Sequence, residues 1–344
     1  MNFQDTINEI FKGLSGDNEK DLEYLKEQTE KYKGTENSTE IVRAIGRKIF
    51  ELLPDDAKTE LNQFIGNEVD TINSTVEEAK FLLNKNEPEK AEKMLKSAIE
   101  SIPFTFNEDE ECGYFCFDNV LDTTIFAISE KFPKTIRRPT YNFSEIYYMY
   151  AYSLIENRKL DEAERALKTA LKWNPVSAVI MSELSEIYKI KKDYENYLYW
   201  SKRIIKYAYS SKMLARGYRN IAFYYCDIGE YEKSAVIYHF SRNFEESKQV
   251  TSELFYIAEK IGKLPEPSDI EYIEKLFEKE DIQFGASDFV VAAAYQLAKS
   301  CMENDDSENA LSFLHIVYDL TNDKEIYELI EKLSNAIENS KSEL

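Results

Sequence analysis

Apolar residues recur along this chain at three- and four-residue intervals, the spacing that places them on one stripe of a helix. In TEIVRAIGRKIFELL, Ile41, Ile45 and Ile49 share such a stripe, and residues 1–71 as a whole read as three helices. Asp161 before EAERALKTALKW and Asp193 before YENYLYWSKRIIKYA stand where N-caps belong. Asp227 and Gly229 suit a tight turn between two helices. Residues 249–290 predict a helix through SELFYIAEKIG, a loop LPEPS, and a second helix in DIEYIEKLFEKE. Ser268 is the expected N-cap there, with Glu271 completing a capping box. The tail KEIYELIEKLSNAIEN predicts a last helix with a wet outer face. Only 10 Gly and 8 Pro punctuate the chain, and Lys and Glu dominate its polar positions, so the pattern is all-α.

Two segments repeat one another: AKFLLNKNEPEKAEKMLKSAIESIP, residues 79–103, and AYSLIENRKLDEAERALKTALKWNP, residues 151–175. Ala79, Ala91, Ala98 and Pro103 in the first match Ala151, Ala163, Ala170 and Pro175 in the second. In this the chain resembles the tetratricopeptide repeat family, whose 34-residue unit carries small residues at positions 8, 20 and 27 and often proline at 32. The same register fits Ser185 and Tyr188, then Ala222, Tyr225, Ser234, Tyr238 and Ser241, then Ala298, Ala310 and Leu314. Over five units, nine of the ten residues at positions 8 and 20 are Ala or Ser, so packing volume is what the pattern keeps from unit to unit. Small side chains let paired helices approach closely, and Leu95, Leu167 and Tyr238 fill the gap to the next pair. Tyr197 departs from the pattern, standing where a small residue is expected.

The resemblance implies an α-solenoid, a right-handed superhelix of antiparallel helix pairs. It divides the chain into an N-terminal helical bundle or cap (1–71), a repeat array (72–324) and a C-terminal capping helix (325–344). Within the array, units lie near 72–105, 144–177, 178–211, 215–248 and 291–324, with a degenerate pair at 249–290. Residues 106–143 interrupt it with an acidic run (Glu108 to Glu111), an aromatic cluster (Tyr114, Phe115, Phe117) and one helix ending near Lys131. This insertion reads first as an elaboration that patches the core, and second as an element beside a binding face.

Charge narrows the partners. The net charge of −21 repels free nucleic acid and anionic membranes, and neither is expected as a partner. Residues 1–143 carry −11 and residues 251–344 carry −13, whereas residues 144–250 carry +3. No stretch approaches the roughly 18 apolar residues of a membrane span. MNFQDTINEI lacks the marks of a secretory signal, and without one the terminal KSEL has no retrieval meaning. The expected location is cytoplasmic, and a composition rich in Lys, Glu, Asn, Ile and Tyr suggests a bacterial source.

Chemistry-bearing residues are sparse. His239 and His315 are two repeats apart, and Cys112 and Cys116 have no second pair, so no metal or catalytic site is expected. Cys226 and Cys301 complete too small a set for a disulfide framework. Asp305 and Asp306 read as a solvated turn, and no phosphate loop, dinucleotide fingerprint or nucleophile elbow occurs. Neither a cofactor nor an enzymatic activity is expected.

Tyrosine is abundant, with 24 residues, and Tyr188, Tyr194, Tyr225, Tyr231 and Tyr238 fall at the family's packing positions. In the family, positions 2, 5, 9, 12 and 13 line an inner groove. The resemblance assigns Tyr148, Tyr152, Lys189, Arg216, Arg219, Phe223 and Tyr295 to it. Aromatic residues and arginine concentrate binding energy at interfaces. The expected function is therefore a scaffold that holds a protein or peptide partner, with some acidic character, in this groove. The carboxylate-clamp branch, which reads chaperone C-termini, has Lys at position 5 and Asn at position 9; Tyr148, Ser182, Arg219 and Tyr295 depart from that. The alternatives are a peptide-sensing bacterial regulator with an N-terminal effector bundle, and an enzyme housed in that bundle or in the insertion.

Overall fold

The computed structural model describes residues 3–33, 38–102, 106 and 110–342. Pro103, Glu108 and Asp109, and the last two residues of KSEL, lie outside these. The chain forms two compact units, Met1–Tyr114 with Lys134–Tyr141, and Phe115–Pro133 with Asn142–Leu344.

In the first unit, α1 (Phe3–Lys12), α2 (Asn18–Tyr32) and α3 (Ser38–Leu52) bury Ile7, Ile10, Leu25, Ile41, Ala44 and Ile45, and Ile49 packs on that cluster. The next helix, α4 (Asp55–Asn84), pairs with α5 (Pro88–Ser101). The boundary expected after residue 71 falls inside α4, because nothing between Pro54 and Asn84 ends the helix: no proline or cap intervenes, and Gly66 alone weakens it. Two strands that the all-α reading did not anticipate, β1 (Cys112–Tyr114) and β2 (Thr135–Arg137), pair in parallel, with Gly113 opposite Ile136.

The second unit begins with α6 (Val120–Glu130). Phe115, Phe117, Phe126 and Phe132 cluster on it at centroid distances of 4.6–5.4 Å. Then come α7 (Phe143–Glu156), α8 (Leu160–Trp173), α9 (Ala178–Lys191), α10 (Tyr194–Tyr207), α11 (Ser211–Asp227), α12 (Tyr231–Ser241) and α13 (Lys248–Ile261), and from α8 onward each packs on the one before. Asn142, Ser177, Asp193 and Ser210 cap α7, α9, α10 and α11 by accepting from the backbone N–H three residues on. Asp161 is not a cap. It lies inside α8, which starts at Leu160 without a side-chain cap, and it accepts from Lys191 Nζ at 2.6 Å. Gly229, at φ +83°, makes the turn between α11 and α12.

Small residues sit where hairpins close. Ala79, Ala91, Ala151, Ala163, Ser185, Ala222, Ser234, Ala298 and Ala310 are all completely buried. A larger side chain at any of them forces the helices apart, at about 1–3 kcal/mol. Gly217 brings α11 still closer to α10, since a Cβ there would lie 2.6 Å from Ile205 Cγ1. Tyr197 is also fully buried; α10 accommodates a ring where its counterparts in other hairpins have a methyl or hydroxymethyl group.

The stack ends at α13. The next helix, α14 (Ile270–Lys279), is capped by Asp269, whose carboxylate accepts from Tyr272 N at 2.8 Å; the N-cap is one residue beyond the expected Ser268. The two helices of 249–290 do form, but they make no hairpin. Instead α14 turns back, and Phe277 lies 5.8 Å from Tyr218 and 4.8 Å from Phe240, on α11 and α12. The Tyr218 hydroxyl donates to Gln283 O and accepts from Gly285 N, both at 2.8 Å. Ser287 Oγ donates to Lys206 O at 2.6 Å. These ties lead α15 (Asp288–Glu303) back against α6, where it pairs with α16 (Ser307–Thr321); α17 (Lys324–Ser342) packs on α16. The second unit is thus an α-solenoid whose last hairpin folds back instead of extending the stack.

Candidate functional site

The odd-numbered helices α7, α9 and α11 are the first members of three successive hairpins. Tyr148 and Tyr152 stand one turn apart on α7, Glu183, Glu186 and Lys189 follow on α9, and Arg216 and Phe223 on α11. Arg216 Nη2 lies 3.9 Å from Glu183 Oε1 and 3.8 Å from Glu186 Oε1. Lys189 Nζ is 4.0 Å above the Phe223 ring and 3.8 Å from Glu186 Oε2. Burial, with Glu183 and Tyr152 adding and Arg216 opposing, pushes the Tyr148 phenol up to about 12. Burial likewise raises the Glu183 carboxyl; Arg216 opposes this and Glu186 reinforces it. These side chains thus share one polar, partly shielded surface across three helices.

Its floor carries unsatisfied polarity. Near Glu186 and Arg216, Tyr197 Oη is buried with no hydrogen-bond partner among the described residues. Tyr197 lies in the field of Glu186 and Arg216, and burial drives its phenol far above the usual range. An unpaired buried hydroxyl costs on the order of 1–3 kcal/mol. The Arg216 side chain makes no hydrogen bond among the described residues. Its two ion pairs are at the edge of contact, so its planar donors remain open to a better-placed acceptor.

Arg219 and Tyr295 do not join this surface. Arg219 Nη1 is 2.8 Å from Glu245 Oε2, with only 16% of its side chain exposed, so it belongs to the packing between α11 and the segment after α12. Tyr295 is on α15, which the turn at α14 has carried out of the stack. It lines a separate cleft of about 820 Å³ with Val291, Leu320, Ile326 and Leu329, rimmed by Asp288, Asp323 and Glu325. Glu183 and Glu186 are members that reading the residues did not single out. Glu186 occupies position 9 of its unit, one of the groove positions, so its signal was there; Glu183 occupies position 6, which carries none.

No helix of the described residues is long and apolar enough to cross a membrane. Nor do three or more His, Cys, Asp or Glu residues gather among them as a metal would need. His239 meets Pro265 O at 3.1 Å, and burial lowers its pKa. Cys112, Cys116 and Cys226 are buried, and Cys301 is half-buried.

The tetratricopeptide repeat model matches residues 144–177, which are α7, α8 and the turn after them. No curated protein matches the chain. Among solved structures, PilF of Pseudomonas aeruginosa is 12% identical, with 77% of this chain and 99% of that one covered, at a TM-score of 0.41. A tetratricopeptide repeat protein from Parabacteroides merdae is 14% identical, covering 77% of this chain and 98% of that one, at 0.30. The TPR domain of P58(IPK) is 14% identical over 98% of both chains, at 0.24. These scores lie below the level at which whole folds coincide, so the assignment rests on the matched unit and on buried small residues recurring where hairpins close. On that ground the chain carries a tetratricopeptide repeat at residues 144–177, among hairpins closed by the same buried small residues.

Proposed function

We propose that this protein-interaction scaffold binds a peptide segment of a partner protein across α7, α9 and α11, without catalysis. The observation that carries the reading is the convergence of Tyr148, Tyr152, Glu183, Glu186 and Arg216 from three hairpins onto one surface. Tyrosine and arginine supply contact area and directed donors at low entropic cost. A carboxylate of the ligand replaces Glu183 at Arg216. The surface is nearly neutral, since Arg216 and Lys189 face two glutamates. It therefore selects a segment with one acidic residue among apolar neighbours rather than a strongly acidic one.

The test is a pull-down from the native host with wild-type bait and with Arg216→Glu plus Tyr152→Ala, both checked for folding by circular dichroism. A partner held by wild type and reduced about tenfold or more on the variant is the expected result. Equal recovery of every partner on both baits refutes the reading.

A further inference from the structure

Between Asn196 and Cys226 the chain has six Lys and Arg residues and no carboxylate, within a protein of net charge −21. Surface helices elsewhere in it pair their charges, as in Glu164 with Lys168 on α8 and Glu271 with Lys275 on α14. Here three of the six find acceptors in other elements. Lys202 donates to Glu280 O at 2.9 Å and to Asp281 Oδ2 at 3.1 Å, Arg216 faces Glu183 and Glu186, and Arg219 faces Glu245. Arg203, Lys206 and Lys212 have no carboxylate partner among the described residues.

Two of these three lie one turn apart on α10, within a run of aromatic rings. The Arg203 guanidinium is 5.8 Å from the Tyr199 ring, 5.7 Å from Trp200 and 5.1 Å from Tyr207. Lys206 Nζ is 5.0 Å from the Tyr207 ring and 6.0 Å from Phe289. Tyr199 stands edge-on to Trp200 at 5.1 Å and is 51% exposed, so the core does not account for it. Arg203 Nε is buried with no hydrogen-bond partner among the described residues. A guanidinium held over ring faces loses mobility but keeps its in-plane donors for a carboxylate. Glu130, beside the patch, is engaged already: it accepts from the Tyr207 hydroxyl at 2.7 Å.

We propose that this face of α10 is a docking surface for a short acidic segment of a partner protein. Two carboxylates about one helical turn apart meet Arg203 and Lys206, and an apolar residue beside them covers Tyr199 and Trp200. Charge complementarity argues for the occupant: unpaired cations beside the exposed Tyr199 ring and the half-buried Trp200 have the composition of an interface anchor. A nucleic-acid strand fits less well. It needs a positive track over several nucleotides, and the acidic remainder of the protein repels a polyanion at range. The proposal does not rest on the groove of α7, α9 and α11.

The experiment pans a library of short random peptides against the full-length protein. The enriched peptide is then titrated by Trp200 fluorescence in a Trp173→Phe background. The expected consensus has two Asp or Glu within one turn beside Leu or an aromatic residue. Affinity falls about tenfold or more in R203E/K206E, and about threefold in Arg203→Lys, which keeps the charge and loses the planar fork. It is unchanged in Arg216→Glu, which separates this surface from the inner groove. A neutral or basic consensus, no consensus, or full binding by R203E/K206E overturns the proposal. So does oligothymidylate binding that needs Arg203 and Lys206 when acidic peptides do not bind.

Discussion

Replacing Gly217 with alanine sets two effects of opposite sign against each other. In a helix interior, Ala is favoured over Gly by about 1 kcal/mol. At this site the new methyl would meet Ile205 Cγ1 at 2.6 Å, Ile204 Cγ2 at 3.3 Å and Ile205 N at 3.3 Å. Ile204 and Ile205 are 0% and 1% exposed, so neither side chain has free space to retreat into, and a backbone atom yields only if α10 and α11 separate. Overpacking of this kind costs about 1–3 kcal/mol, so the net expectation is a loss of about 1 kcal/mol. The decisive measurement is a double-mutant cycle with Ile205→Ala. That change alone costs about 2–4 kcal/mol for the cavity it leaves. In its background the added methyl enters vacated space, so Gly217→Ala becomes neutral or stabilising, with a coupling of about 2 kcal/mol. Urea titration followed by Trp200, with Trp173→Phe removing the other tryptophan, reads α10 itself even where the array unfolds in steps. A Gly217→Ala variant more stable than wild type, or a cycle without coupling, refutes the close approach of the two helices.

Gly46 and Gly66 lie in α3 and α4 with nothing within 4 Å of a Cβ, so alanine at either raises stability by about 0.5–1 kcal/mol, read from urea midpoints. At Glu164, partial burial works to raise the carboxyl. Hydrogen bonds from Lys168, Lys191 and Tyr188 overcome it and hold the pKa at about 2, against the usual 4.5. A depressed folded pKa means the stabilisation is full above about pH 5 and is lost as pH falls through 2. Glu164→Gln is thus about 1 kcal/mol less stable than wild type at pH 7 after solvent screening, and the gap closes near pH 2; a gap constant with pH refutes the linkage. Tyr218→Phe strips Gln283 O and Gly285 N of their shared hydroxyl and costs about 1–3 kcal/mol by thermal or urea unfolding; a change below the error of the midpoint counts against that tie.

The hairpins were legible because their constraint is local. A small residue recurring at fixed spacing states how closely two helices approach, and every Ala and Ser so identified is buried. The end of the stack was not legible. Ile273, Leu276 and Phe277 give α14 an apolar stripe that suits packing on α13 as well as on anything else. What decides is the prior claim of Tyr218 and Phe240, more than thirty residues upstream, and no local pattern carries that. Tyr295 was assigned to the groove on the premise of an unbroken stack and leaves it for the same reason. Within the groove, the aromatic and basic members followed from register, whereas the charge balance set by Glu183 depends on which way α9 turns toward Arg216. Three-residue strands such as β1 and β2 are too short to leave a periodicity.

The return of α15 onto α6 has a consequence for how the protein is made. A stack of hairpins acquires its contacts in the order the ribosome delivers them, each pair closing on its predecessor. Here α6 is complete at Glu130, but its partner emerges only with Asp288–Glu303. At roughly 5–20 residues per second, the buried face of α6 waits on the order of 10–30 s for cover. During that interval the face of α6 that α15 later covers stays open, and a nascent chain stalled before α15 offers it to chaperones.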